Sequence, residues 1–308
     1  MRADPGPGTA AGGNLTVDTS SQLYESEATG WQRGLYEKIK ETFRAPFINW
    51  IFRTTVTNQP EFARYVWGQV EPVFETEAFA RYTVAYRDAV LGTIEDRTEL
   101  PGYRREHLGI GPAEFHQLRG QLATFDVVGP RLAVLFSLLD RSLSGGPVGT
   151  DAPDDAAALA PFPDHVDADR GIPPTMAAFD ETPDGLAETV AEIQSFHSLD
   201  EGLPSIYRCL VQWPGYLETV WTDLEPVRRE AFEPASQAAR DEVASFVEST
   251  PYQPQLSPEA LRSVGFEDEV VDGMADLFAE FNGPIADTVL PMLPVFAASV
   301  DSEGRRTL

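Results

Sequence analysis

Two short stretches carry the side chains best suited to chemistry. The first is Arg44-Ala45-Pro46-Phe47-Ile48-Asn49-Trp50, and the second runs from His197 through Asp200, Glu201 and Gly202 to Pro204 and Ser205. Aromatic walls from Phe47 and Trp50 set against a short polar and acidic segment have the composition of a small-ligand pocket. A structural reading competes with it: aromatics at helical spacing pack cores, and Asp200-Glu201 ahead of a helix stabilises its N-terminal dipole. His197, three residues before Asp200, is a candidate general base. Arg53 and Arg208 follow the two stretches and could hold a carboxylate through charge-assisted bonds, or pair with the many acids around them. Cys209 is the single cysteine, so no intramolecular disulfide and no CxxC chemistry can form, and its apolar surroundings make it inert core. His107, His116, His165 and His197 show neither HxH nor HxxxH spacing, so no metal site and no cofactor is expected. GxSxG, P-loop, GxGxxG and HExxH patterns are absent.

The elements that position these residues occur twice. At an offset of 154, Pro60 matches Pro214, Trp67 matches Trp221, Glu71-Pro72-Val73 matches Glu225-Pro226-Val227, and Gly129-Pro130 matches Gly283-Pro284. Phe62, Val66, Val70 and Val73 correspond to Tyr216, Val220, Leu224 and Val227, spacings of 4, 4 and 3 that place each set on one helix face. Ile51-Phe52-Arg53 pairs with Ile206-Tyr207-Arg208 once one residue is inserted. Leu35, Ile39 and Phe43 recur every four residues, and Pro130 opens an apolar run to Leu143. Alternating strand patterns are nearly absent. Pro291 and Pro294 predict a bent or split helix in the second half. The expectation is an all-α protein of two tandem helical repeats packed as an intramolecular pseudo-dimer, with any central pocket between them. Its divisions are a disordered N-terminus over 1–20, repeats over 21–143 and 186–300, an acidic Pro/Gly-rich connector over 144–185, and a tail over 301–308.

Composition limits the partners. Among 308 residues, 49 acids against 23 Lys and Arg, only two of them lysines, give a formal charge of -26. Phosphate backbones and anionic lipid surfaces would repel such a chain, so neither nucleic acid nor membrane is an expected partner. Molar salt screens the self-repulsion, with a Debye length of about 3 Å, so a high-salt cytoplasm is the expected setting. No run of 18 uninterrupted apolar residues and no apolar leader segment stands in the sequence. A homo-oligomer is compatible with all of this.

Tyr36-Glu37-Lys38-Ile39-Lys40-Glu41-Thr42-Phe43-Arg44-Ala45-Pro46-Phe47, the Glu61–Trp67 helix after Pro60, the segment GLPSIYRCLVQWP from Gly202 to Pro214 and the duplicated layout resemble the group I 2-haloacid dehalogenases, the DehI family. The chain is similar to a divergent, haloarchaeal-type member. The resemblance implies an all-α, AhpD-like pseudo-dimer with its pocket between the repeats. It also implies hydrolytic chemistry on a 2-halocarboxylic acid: an aspartate activates water, which displaces halide from C2 with inversion and without a covalent intermediate. Carried over by position, the family's aromatic wall falls on Phe47 and Trp50 and its serine on Ser205. Its catalytic aspartate falls on Ile206, which cannot accept a proton. Further polar pocket positions fall on Gly129, Leu132 and Phe281. Three readings remain open: a dehalogenase whose base is relocated to Asp200 or Glu201, a non-catalytic relative binding a small apolar or carboxylate ligand, and another chemistry on this scaffold. The thiol-dependent AhpD-like subtype is excluded by the missing CxxC.

Overall fold

The computed structural model describes residues 17–150, 156–168, 170–178 and 185–308. Most of the expected disordered N-terminus, residues 1–16, lies outside the described residues, as do 151–155, 169 and 179–184 of the connector. The protein is all-α; the nearest approach to a sheet among the described residues is one isolated bridge, Thr76 to Pro161. The first half contains α1 (Gly30–Phe43), α2 (Trp50–Asn58), α3 (Pro60–Phe74), α4 (Glu77–Glu95), α5 (Arg105–Leu108) and α6 (Pro112–Leu143). The second contains α7 (Ala187–Phe196), α8 (Ser205–Leu210), α9 (Pro214–Asp223), α10 (Phe232–Ser249), α11 (Pro258–Ser263), α12 (Asp268–Glu280) and α13 (Leu290–Ala298).

Local sequence explains where these helices begin. Prolines occupy the first turn of α3, α6, α9 and α11, where the missing N–H costs nothing. The Thr76 and Ser257 hydroxyls cap α4 and α11 by accepting from Phe79 N and Ala260 N. The matched stripes Phe62/Val66/Val70/Val73 and Tyr216/Val220/Leu224/Val227 are all buried. Element order repeats along with sequence: an offset of 154 carries α4 to 231–249, beside the observed Phe232–Ser249, and α6 to 266–297, beside the span from Asp268 to Ala298. Corresponding helices pack on each other, α4 against α10 and α6 against α12 and α13.

The two halves differ at the long helix. Pro130 does not open a helix, as the sequence pattern suggested, but sits inside the continuous 32-residue α6. Its ring removes the N–H that would bond the Asp126 carbonyl, and Arg87 Nη2 approaches that carbonyl to 3.5 Å instead. In the second half the corresponding helix is split, as expected, but at a different place. Phe281–Val289 winds in wide π-type turns around Gly283, whose ψ of -116° is non-helical, and Pro291 merely starts α13. By length and average composition α6 could also cross a bilayer, which a count of uninterrupted apolar residues missed. It is the central core helix: 89% of its most apolar window is buried inside the protein.

A buried ionic cluster ties the connector and the tail to the helices. Asp167, on the connector, receives Arg87 Nη2 at 2.9 Å, Arg131 Nη1 at 3.0 Å and Arg170 Nη1 at 3.0 Å. Asp126 of α6 receives Arg87 Nε, Arg170 Nη2 and the Gly304 N–H of the tail. Burial alone would raise the Asp167 carboxyl, but Arg87, Arg131 and Arg170 outweigh it and hold it well below the usual carboxylate range. The same burial lowers Arg131 to about 10 against the attraction of Asp167. The described connector is therefore a docked strap, and residues 301–308 are fastened too, through Arg306 to Asp88 and Glu95.

Candidate functional site

The starts of α2 and α8 meet across a cavity of about 100 Å³. Asn49, Trp50 and Ile51 line it from the first half, and Pro204, Ser205 and Ile206, their repeat equivalents, from the second. Phe125, Val128, Leu132 and Phe136 form one face of α6 along its side. Phe281 and Val289 of the irregular segment close it together with Leu290 and Leu293 of α13. Trp50 and Phe281 rings are 4.8 Å apart and Phe136 and Phe281 5.4 Å. A cavity of this size suits a ligand of few heavy atoms; a dry apolar cavity of ~150 Å³ takes benzene.

None of the fourteen lining residues carries a titratable side chain. The Asn49 amide, the Ser205 hydroxyl and the Trp50 indole supply the side-chain polarity, and Trp50 Nε1 is buried without a hydrogen-bond partner. An unmatched buried donor costs about 1–3 kcal/mol, so this wall gains from any ligand that brings an acceptor to it.

The residues singled out in the sequence divide clearly. Trp50, Ser205, Ile206, Leu132 and Phe281 line the cavity. Phe47 stands behind it, 6.4 Å from the lining ring of Phe125. Gly129 is absent from the lining; a Cβ there would lie 3.1 Å from Leu293 Cδ1, so glycine allows α6 and α13 to approach. Asp200 and Glu201 are exposed and outside the lining. Their loop is held back on α7 by Leu199 N to Gln194 O, 2.9 Å, and by Gln194 Nε2 to Gly202 O, 3.0 Å.

Arg53 and Arg208 do not line the cavity. Arg53 lies over the Tyr24 ring at 5.0 Å while its carbonyl accepts from Leu23 N. Arg208 donates Nε and Nη2 to the Ala177 carbonyl, and its own carbonyl accepts from Ala177 N. Leu23 and Ala177 are themselves 154 residues apart, so each arginine fastens the segment leading into its own half. Charge-rich surroundings made a ligand role plausible in the sequence, where the approaching carbonyl could not be seen.

His197 is no general base for Asp200 in this arrangement. It is buried, its Nε2 lies 2.5 Å from Tyr207 Oη, and burial, aided by Arg228, lowers its pKa to about 3. Cys209 donates to Gln121 Oε1 at 2.9 Å, and burial pushes its thiol up. Among the described residues, no group of three His, Cys, Asp or Glu side chains converges as a metal site would require. Sequence reasoning missed Phe125, Val128, Phe136, Val289, Leu290 and Leu293, because α13 is apolar throughout and α6 is buried on most of its circumference beyond Leu118, so the cavity-facing stripe carries no distinguishing period.

Comparison with known proteins agrees with this geometry. Residues 46–192, from Pro46 on, match the family described as halocarboxylic acid dehydrogenase DehI. An (R)-2-haloacid dehalogenase of Pseudomonas putida is 24% identical over 266 residues, 83% of this chain and 85% of that protein. A crystal structure of a D-2-haloacid dehalogenase mutant superposes with a TM-score of 0.78 at 19% identity, covering 96% of this chain and 99% of the other. A mutant of a D-2-haloacid dehalogenase in complex with D-2-CPA gives 0.76 at 20% identity, covering 97% and 99%. With the shared helical fold, these matches make the chain similar to the DehI family over residues 46–192 and to 2-haloacid dehalogenases over most of its length.

Proposed function

We propose that this haloacid dehalogenase-like protein binds a small, mainly apolar carboxylic acid between its halves without hydrolysing it. The observation that carries the reading is that, among the described residues, no titratable side chain lines the cavity. Attack of water on C2 needs a group to take its proton, and general-base assistance contributes about 10²–10⁴-fold. At the position implied for that group stands Ile206, 1% exposed, packed where a carboxylate would have to be desolvated. The ligand's carboxylate would draw on Ser205, Asn49 and the indole N–H of Trp50, and its alkyl or halogen substituent on Leu132, Phe136 and Leu293.

The duplicated order of elements supports a pseudo-dimer in which this cavity lies near the approximate twofold axis. The charge of -26 supports a molar-salt cytoplasm as the working solvent. Hydrolysis is the second reading, favoured by the relatives' activity; it requires Asp200 or Glu201 to swing from the surface over the cavity mouth.

One experiment separates the readings. Each enantiomer of 2-bromopropionate is titrated in molar KCl, following Trp50-dependent fluorescence together with bromide and lactate release. Saturable quenching that Trp50→Phe abolishes, with no lactate, is expected. Catalytic lactate formation removed by Asp200→Ala or Glu201→Ala would replace the binding reading by a relocated base.

A further inference from the structure

A second, larger cavity of about 170 Å³ lies on the other side of the irregular Phe281–Val289 segment, between that segment and helices α4, α6 and α10. Its polar lining comprises Tyr86, Ser137, Arg240, Asn282 and Asp287, and its apolar lining is Ala133, Ala239, Val243 and Ala286. At roughly 30 Å³ of liquid volume per water, it has room for about five or six water-sized groups.

The hydrogen bonds already made inside it decide what such an occupant must offer. Arg240 is fully engaged: Nη1 to Ser236 Oγ at 2.9 Å, Nη2 to Glu233 at 3.1 Å and to Gln237 at 2.8 Å, and Nε to Gln237 at 3.3 Å. Asn282 donates one Nδ2 hydrogen to Asp140 at 2.7 Å, which leaves Oδ1 and the second N–H for an occupant. Asp287 Oδ1 is 3.4 Å from Arg240 Nη1, a loose contact, and its side chain is 40% exposed, at the mouth. Tyr86 is 1% exposed, and its hydroxyl is buried without a hydrogen-bond partner. Acceptors remain at Asn282 Oδ1, Asp287 and the Tyr86 oxygen, beside the Tyr86 O–H and the second Asn282 N–H. Around Arg240, the one cation among the described lining residues, stand Glu233, Asp287 and, behind Asn282, Asp140, so the local charge is negative.

We propose that this cavity is a second ligand site, taking a small primary ammonium compound whose N–H donors reach Asp287, Asn282 and the Tyr86 oxygen. Its short alkyl body packs on Ala133, Ala239, Val243 and Ala286. The site is separate from the one between the halves, so its test stands or falls independently of the binding reading above. Because Asn282, Ala286 and Asp287 share a segment with Phe281 and Val289, an occupant would touch the same irregular turn that walls the first cavity.

Isothermal titration of the full chain with n-propylammonium chloride at constant KCl tests it, with tetramethylammonium as a cation of equal charge that has no N–H donor. Saturable one-to-one binding of propylammonium, at least about tenfold tighter than tetramethylammonium, is expected. Asp287→Asn should weaken it about tenfold and Tyr86→Phe, which keeps the ring, a few-fold. Ala239→Leu, filling the cavity, should abolish binding while circular dichroism shows an unchanged helical fold. No saturable binding, equal binding of the two cations, or binding indifferent to Asp287→Asn and Ala239→Leu would overturn the proposal.

Discussion

Replacing Asp167 by asparagine tests whether the connector is a structural strap. The carboxylate is 1% exposed and joins Arg87 and Arg131, both fully buried, with Arg170 at the edge. Asparagine keeps the volume but removes the charge that makes burying two guanidinium groups tolerable. Breaking a buried ion pair from one side costs about 3–5 kcal/mol, and Asp126 still compensates Arg87, so Arg131 carries most of that loss. At about 2.1 cal/mol/K per residue, unfolding 308 residues has an entropy near 0.65 kcal/mol/K, and the loss lowers Tm by about 5–8 °C. Calorimetry at 1 and 3 M KCl is the assay. The drop should be nearly equal at the two salts, since a pair shielded from solvent is screened little. Arg229→Gln, which breaks exposed contacts to Glu225 and Glu230, should leave Tm nearly unchanged. If Asp167→Asn were as mild as Arg229→Gln, or its cost vanished at high salt, the strap would not be held by this cluster.

Other expectations follow from single contacts. His197 titrates at about 3 when folded and near 6.5 when unfolded, so its contribution is intact above pH 6.5 and is lost as pH falls towards 3. Between pH 7 and 5 the wild type should therefore lose about 2 kcal/mol more than His197→Phe in denaturant titrations. Gly129→Asn forces a side chain towards Leu293 Cδ1 and should cost about 1–3 kcal/mol; Leu293→Ala should recover part of it in a double-mutant cycle. Arg208→Gln should lower stability by loosening Ala177 while changing the affinity for 2-bromopropionate less than twofold; a tenfold loss of affinity would put Arg208 back at the ligand.

The fold was legible in the sequence because duplication doubles every signal. A proline opening a helix and a stripe such as Phe62, Val66, Val70 and Val73 each carry little alone, but the same features 154 residues on fix the element order. The long helix was less legible: Pro130 reads as a start, and only the Arg87 side chain, 43 residues upstream, shows how its interruption is absorbed. At the candidate site five of the seven aligned positions, Trp50, Ser205, Ile206, Leu132 and Phe281, are in the cavity wall, while Phe47 and Gly129 lie outside it. The charged candidates are all elsewhere. A charged side chain's destination depends on which partner reaches it in three dimensions, and this chain places its buried charges at the strap cluster rather than between the halves.

That partition bears on function. A fold that buries Arg87, Arg131, Asp126 and Asp167 beside one another can hold a desolvated carboxylate, so nothing general to the scaffold forbids an acid in its interior. What differs at the cavity is compensation. Asp167 is kept ionised by three guanidinium groups, whereas a carboxyl replacing Ile206 would face Leu132, Phe136, Phe281 and Leu293 with only Asn49, Ser205 and Trp50 to bond it. Burial without a counter-charge raises a carboxyl's pKa, towards the range where a base works near neutral pH. Ile206→Asp should accordingly fold with a loss of a few kcal/mol and bring a titrating group into the cavity, visible as a pH-dependent Trp50 emission absent from the wild type. Lactate formation from 2-bromopropionate that follows the basic limb of that titration would show that the missing carboxylate is all that separates this cavity from hydrolysis. Emission that titrates without lactate would show that Gly129, Leu132 and Phe281, the other positions where the resemblance implies polar groups, also matter for holding the water.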